Sequence, residues 1–116
     1  FMGSLPHDEV LSVMRQSRAI VMPSVCRETF GLVAYEAMIA AGLPCIVSDV
    51  GDAASFVMSK GLGEIFSAGS VESLSDAMVN MLDSDVYSRY TDFSCLEKTA
   101  YVERLIGIYD QLMVEL

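Results

Sequence analysis

Two carboxylates, Glu28 and Glu36, stand eight positions apart in the segment Glu28-Thr29-Phe30-Gly31-Leu32-Val33-Ala34-Tyr35-Glu36. The segment reads as a junction between a strand and a helix, with Glu28 just outside the helix. From there Glu28 can accept hydrogen bonds from the vicinal hydroxyls of a sugar. The first-turn amides of a helix have no intrahelical partner, and with the helix dipole they form an anion site suited to phosphate or to hydroxyls. Gly31 lets the backbone approach a ligand closely, since it has no Cβ. Glu36 lies about two turns further on, roughly 9 Å by the helical rise, within reach of a second polyol such as a ribose. It is also the only charged residue from Gly31 through Ser48. Buried in so apolar a stretch, a carboxylate costs on the order of several kcal/mol unless it is hydrogen-bonded. Glu36 is therefore expected to have a structural partner or a ligand.

The surrounding elements must bring these groups to one place. Phe1-Met2-Gly3 reads as the tail of a strand. Leu5-Pro6-His7 then leads into a helix capped by His7 or Asp8, with Val10, Leu11, Val13 and Met14 as its apolar stripe. Ala19-Ile20-Val21-Met22, closed by Pro23-Ser24, has the continuous apolar run of a strand buried on both faces. A helix from Phe30 to Ala41 follows, with Thr29 as N-cap, Gly42 beyond its end and Pro44 blocking extension. Cys45–Ser48 is a second buried strand, Ala53–Ser59 a short helix, Glu64–Phe66 a brief strand and Val71–Leu82 an amphipathic helix. Helical patterns recur at Val86–Tyr90 and Cys95–Val114, the last with Ala100, Leu105, Ile108, Tyr109 and Leu112 apolar. Strands alternating with helices imply an α/β domain, an open parallel sheet with helices on both faces. Ligands of such sheets sit beyond the carboxyl ends of the strands. The loops Ser24–Glu28 and Asp49–Asp52 should accordingly line one edge.

Bulk properties narrow the partners. At 116 residues the chain has room for one domain with a modest core. Seven Lys and Arg against sixteen Asp and Glu, a net charge of −9, argue against nucleic acid or an anionic membrane surface as partner. Gly42 and Pro44 interrupt the longest apolar stretch before it reaches the length of a membrane span. Cys26, Cys45 and Cys95 are odd in number and widely spaced, which fits neither a disulfide framework nor a metal site and points to a reducing, cytoplasmic compartment. Cys26 has no evident base beside it, and Cys45 reads as a small core residue. His7 reads as a helix-entry residue. Asp49 and Asp52 read as solvated or capping groups rather than a metal pair.

Pro23-Ser24, Glu28-x-Phe30-Gly31, Glu36-Ala37-Met38 and Gly42-x-Pro44 together resemble the retaining glycosyltransferases of family 4, also called group 1. The Glu28/Glu36 pair matches that family's E-x7-E signature. Phe1-Met2-Gly3-Ser4-Leu5 resembles its F-x-G-x-L strand, and Phe93-Ser94 with Tyr109 its C-terminal helical region. The resemblance covers nearly the whole chain and implies the second half of the C-terminal, donor-binding domain of a Rossmann-like GT-B fold, with residues 1–116 as a single partial domain. It implies transfer of a hexose from a nucleotide-sugar to a sugar, lipid-linked or polysaccharide acceptor, with retention and with neither metal nor cofactor. Glu28 would be the catalytic residue and contact the hexose. Thr29, Phe30, Gly31 and Leu32 would hold sugar and diphosphate, and Glu36 the ribose. Activity would be cytoplasmic, or peripheral to a membrane.

The sequence also departs from that family. Its Gly-Gly-x-x-Glu pattern is replaced here by Gly51 followed by Asp52, with Ser55 in place of the glutamate. The family's Arg/Lys pair for the diphosphate and its N-terminal acceptor domain are expected upstream of Phe1, so the isolated chain is expected to be inactive. Two other readings stand beside this one: a degenerate, non-catalytic GT-B-like module acting through protein contacts, and a sugar-nucleotide epimerase, against which the E-x7-E spacing weighs. An unpaired sheet edge near Phe1–Gly3 is expected to promote self-association.

Overall fold

The computed structural model describes residues 1–27, 31–83, 102–103, 105–107 and 111. Its elements run α1 (His7–Gln16), β1 (Ile20–Met22), α2 (Leu32–Ala41), β2 (Cys45–Ser48), α3 (Asp52–Lys60), β3 (Gly63–Phe66) and α4 (Val71–Asp83). The three strands are parallel and lie in the order β1-β2-β3. Ile20 is opposite Cys45, and Cys45 is opposite Gly63. This is the expected α/β architecture, a parallel sheet with helices on both faces.

Period-two alternation along β2 divides the core. Cys45 and Val47 enter a cluster with Ala34 and Met38 of α2 and with Ala53, Ala54 and Val57 of α3. Ile46 points to the other face and meets Phe66 and, from α4, Ala77 and Met81. Met14, the buried residue of the predicted α1 stripe, joins Ala37, Ala41 and Leu43, with Val10 and Leu11 alongside. All four residues of β2 are buried, as befits the central strand.

Two local features set the spacing of this sheet. α2 ends at Gly42, whose N–H donates to the Met38 carbonyl at 2.9 Å while that of Leu43 donates to Ala37 at 3.1 Å. This paired closure satisfies the last carbonyls and turns the chain into β2. At the start of β3, a Cβ on Gly63 would collide with the backbone of Cys45, so only glycine fits where the strands come together.

Several expectations need correction. Phe1–Gly3 forms no strand, and Phe1 and Met2 are exposed. Among the described residues the edge on that side is β1. β1 touches all three core clusters yet stays only half-buried, because among the described residues a strand flanks it on one side alone. Neither His7 nor Asp8 caps α1; Pro6 occupies the N-cap, with no side-chain cap bond. α2 begins at Leu32 with Gly31 at its N-cap, so Thr29 does not occupy that position. Of the predicted last helix, residues 102–103, 105–107 and 111 are described and are helical, whereas the predicted 86–90 helix lies outside the described residues. Among the described residues no helix is long and apolar enough to cross a membrane.

Candidate donor site

β1 and β2 point their carboxyl ends the same way, so the segments that follow them share one edge. There Met22 and Ser24 from the β1 end, Gly31 at the entry to α2, Val47 and Ser48 from β2, and Val50–Ala53 around the start of α3 enclose one cleft. Its enclosed space is about 10 Å³, room for roughly one water. The expectation that the two loops line the same edge holds, and it follows from the parallel strand direction alone.

The amino end of α2 differs from those of its neighbours. Gly31 takes the left-handed conformation at φ 55° and ψ 46°, a geometry that glycine adopts without the penalty a Cβ imposes. Among the described residues no side chain caps this end, and no acidic residue lies in the first turn. By contrast Asp8 and Glu9 lie in the first turn of α1, Asp52 in that of α3 and Glu72 in that of α4. α4 is further closed by Ser70, whose hydroxyl accepts from the Ser73 amide at 3.1 Å. Among the described residues no acidic side chain offsets the positive pole of α2, whose entry residue Gly31 lines the cleft. The Ala34 amide is already used, donating to the Gly31 carbonyl at 2.9 Å.

The residues singled out in the sequence fare differently. Gly31 is buried and lines the cleft. Leu32, the first residue of α2, is 66% exposed. Glu28, Thr29 and Phe30 lie outside the described residues. Glu36 is exposed, one turn after Leu32 on the same face of α2. The expectation of a carboxylate buried in an apolar interior is therefore corrected: solvent hydrates Glu36, and no internal partner is demanded. Its neighbours Leu32, Val33 and Ile39 are exposed as well, so this side of α2 faces outward despite its apolar composition.

Sequence reading did not pick out Ser48; it placed Ser24 and Asp52 in the two edge-lining loops without giving either a role in the site. Ser48 is the one buried polar residue among those described, at 3% exposed. Asp49 has a structural task, its Oδ1 accepting from the Ala68 amide at 2.9 Å and tying the end of β2 to the turn before α4. Tyr35 of α2 lies against Phe56 of α3; burial, and secondarily the charge of Asp52, raises its phenol pKa above the usual tyrosine value. Cys26 is exposed in the β1 loop, while Cys45 is buried and desolvation pushes its thiol up to about 12. A further, apolar cleft of about 160 Å³ lies on the α4 side of the same edge, between Pro23, Val25, Phe66 and the start of α4.

The chain matches the family described as Glycosyl transferases group 1 over residues 1–94. It is similar to a phosphatidyl-myo-inositol mannosyltransferase of Mycobacterium leprae, 37% identical over 87 residues, which cover 74% of this chain and 23% of that protein. It is also similar to a glycogen synthase of Mycobacterium tuberculosis, 37% identical over 83 residues, covering 72% of this chain and 20% of that one. The alignments thus span less than a quarter of each curated relative's length. No solved structure matches the chain significantly.

Proposed function

Because this chain belongs to the group 1 glycosyl transferases, we propose that it is part of the donor-binding domain of a retaining GT-B enzyme that moves a hexose from a nucleotide-sugar to an acceptor. The observation that carries this reading is the amino end of α2, which among the described residues has no side-chain cap and no acidic residue in its first turn, and whose Gly31 lines the cleft beyond β1 and β2. When the bond from the sugar to phosphate breaks, negative charge builds on the departing nucleoside diphosphate. Fixed backbone amides at a helix's positive pole stabilise such charge without reorganising.

Each residue then has a role. Glu28 orients the transferred hexose through its hydroxyls and is the catalytic residue. Thr29, Phe30, Gly31 and Leu32 hold sugar and diphosphate through their backbone. Glu36, solvated and on the same helix face as Leu32, accepts from the 2′- and 3′-hydroxyls of the ribose. A carboxylate exposed in this way is free to bond a ligand without first giving up an internal partner. Cations for the diphosphate, and the binding of a sugar, lipid-linked or polysaccharide acceptor, are assigned to other parts of a two-domain transferase. No metal or cofactor is assigned to the reaction, whose place is the cytoplasm or the cytoplasmic face of a membrane.

The test is an amide NMR titration of this chain with UDP-, GDP- and ADP-hexoses, repeated on Glu36→Ala. Saturable shifts at the α2 entry with one nucleotide, weakened in the variant, are expected. Silence from all three at millimolar concentration overturns the reading for this chain.

A further inference from the structure

We propose that Asp49 is a positioning residue for the donor site: it ties the loop across the cleft from the α2 entry to the turn that begins α4, and so sets where that loop stands. This inference rests on the donor-site reading above and adds to it a residue that acts through others. Asp49 directly follows β2. Its own N–H donates to the Phe66 carbonyl at 2.9 Å, which carries the pairing of β2 with β3 one residue past the Ser48–Phe66 register. Its Oδ1 then accepts from the Ala68 amide at 2.9 Å. Backbone and side chain of one residue thus hold the exit of β3 at two points.

The turn that Asp49 holds is itself anchored. The Ser67 amide donates to the Ser73 hydroxyl at 3.0 Å, the Ser70 amide to the Ser67 carbonyl at 3.0 Å and the Ser73 amide to the Ser70 hydroxyl at 3.1 Å. α4 in turn packs on Ile46 and Phe66 through Ala77 and Met81. On the other side of Asp49 the chain runs through Val50, Gly51 and Asp52, which line the cleft together with Gly31. Gly51 stands at the N-cap of α3 with φ at 103° and makes no side-chain cap bond. The loop therefore takes its position from its two ends, α3 on one side and Asp49 on the other. Because the cleft encloses room for only about one water, a small shift of this loop alters what the α2 entry can receive. A carboxylate suits the task, since its hydrogen bond to an amide is stronger than one between neutral groups.

Amide NMR of the wild-type chain, Asp49→Asn and Asp49→Ala, without ligand and in titrations with UDP-, GDP- and ADP-hexoses, tests this. Without ligand, Asp49→Ala should shift the amides of Ala68, Gly51 and Asp52 and, across the cleft, that of Gly31. For the donor that the wild type binds, it should weaken affinity about fivefold, through lost preorganisation. Asp49→Asn keeps one acceptor oxygen and should restore most of both readouts. Should Asp49→Ala fail to fold, Asp49→Ser, whose hydroxyl reaches one bond less far, takes its place. Wild-type donor affinity in the alanine variant, or ligand-free shifts that stop short of Gly31, overturns the assignment of Asp49 and leaves the donor site standing. A wild-type chain that binds none of the three donors overturns both together.

Discussion

Tyr35 of α2 and Phe56 of α3 lie with ring centroids 5.0 Å apart and planes inclined at 45°. The pair links the two helices whose amino ends border the cleft and contributes to the core. Both rings pack against the cluster around Met38 and Val47. Phe56→Ala should lower stability by about 2–3 kcal/mol, read from urea denaturation. It should also weaken donor binding, because α3 loses its register against α2. A variant with lowered stability but unchanged donor affinity would show that the pair has only a packing role.

Glu36→Ala separates a ligand-binding carboxylate from a structural one. An exposed helical position should tolerate alanine to within about 0.5 kcal/mol of wild-type stability. Donor affinity, by contrast, should fall roughly tenfold with the loss of a charge-assisted bond to the ribose. A large drop in melting temperature would contradict the exposed placement of this residue.

Gly63 and Gly107 should respond in opposite ways to the same substitution. Gly63→Ala forces a methyl group into the Cys45 backbone and should cost more than about 3 kcal/mol, enough to leave a small domain largely unfolded. Gly107 is helical, and a Cβ there meets nothing within 4 Å. Gly107→Ala should therefore be neutral or stabilise by up to about 1 kcal/mol. Circular dichroism during denaturant titration of both variants checks the contrast.

Cys45 gives the chain an alkaline limit. Its thiol is raised from 9.0 to about 12 by burial, so the folded state keeps the proton that the unfolded state releases. Below pH 9 both states hold the proton and stability is unaffected. Between about pH 9 and pH 12 the unfolded state binds fewer protons, and stability falls as pH rises. Cys45→Ala should flatten that slope, whatever it costs in packing. At neutral pH, thiol labelling followed by peptide mapping should modify exposed Cys26 well before Cys45. Equal labelling rates would indicate that the core opens readily.

Much of the scaffold could be read from residue order. The run Cys45–Ser48 is a strand buried on both faces, and Gly42-Leu43-Pro44 closes α2 as its composition requires. The outward side of α2 was not legible, for a physical reason: Leu32, Val33, Ile39 and the buried Ala34, Ala37, Met38 and Ala41 place apolar groups all around the helix. Periodicity cannot choose between faces of similar hydropathy, so Glu36 was expected inside. Phe1–Gly3 has strand-like composition, but among the described residues it has no neighbouring strand, and composition alone forms no ladder. The site was legible as two loops meeting at one edge. That Ser24, Ser48 and Asp52 share a cleft follows from strand register, which no local motif encodes.

The order β1-β2-β3 also bears on how the domain comes into being. Each strand docks beside the one immediately preceding it in the chain. Parallel pairing always spans a crossover, but here each crossover is a single helix, which keeps the entropy of loop closure near the minimum such a sheet permits. The sheet can therefore grow one unit at a time as the polypeptide leaves the ribosome, each new strand finding its template already in place. The last of the described strands enters through Gly63, where nothing larger than hydrogen fits, so the docking of β3 is a step that mutation readily stalls.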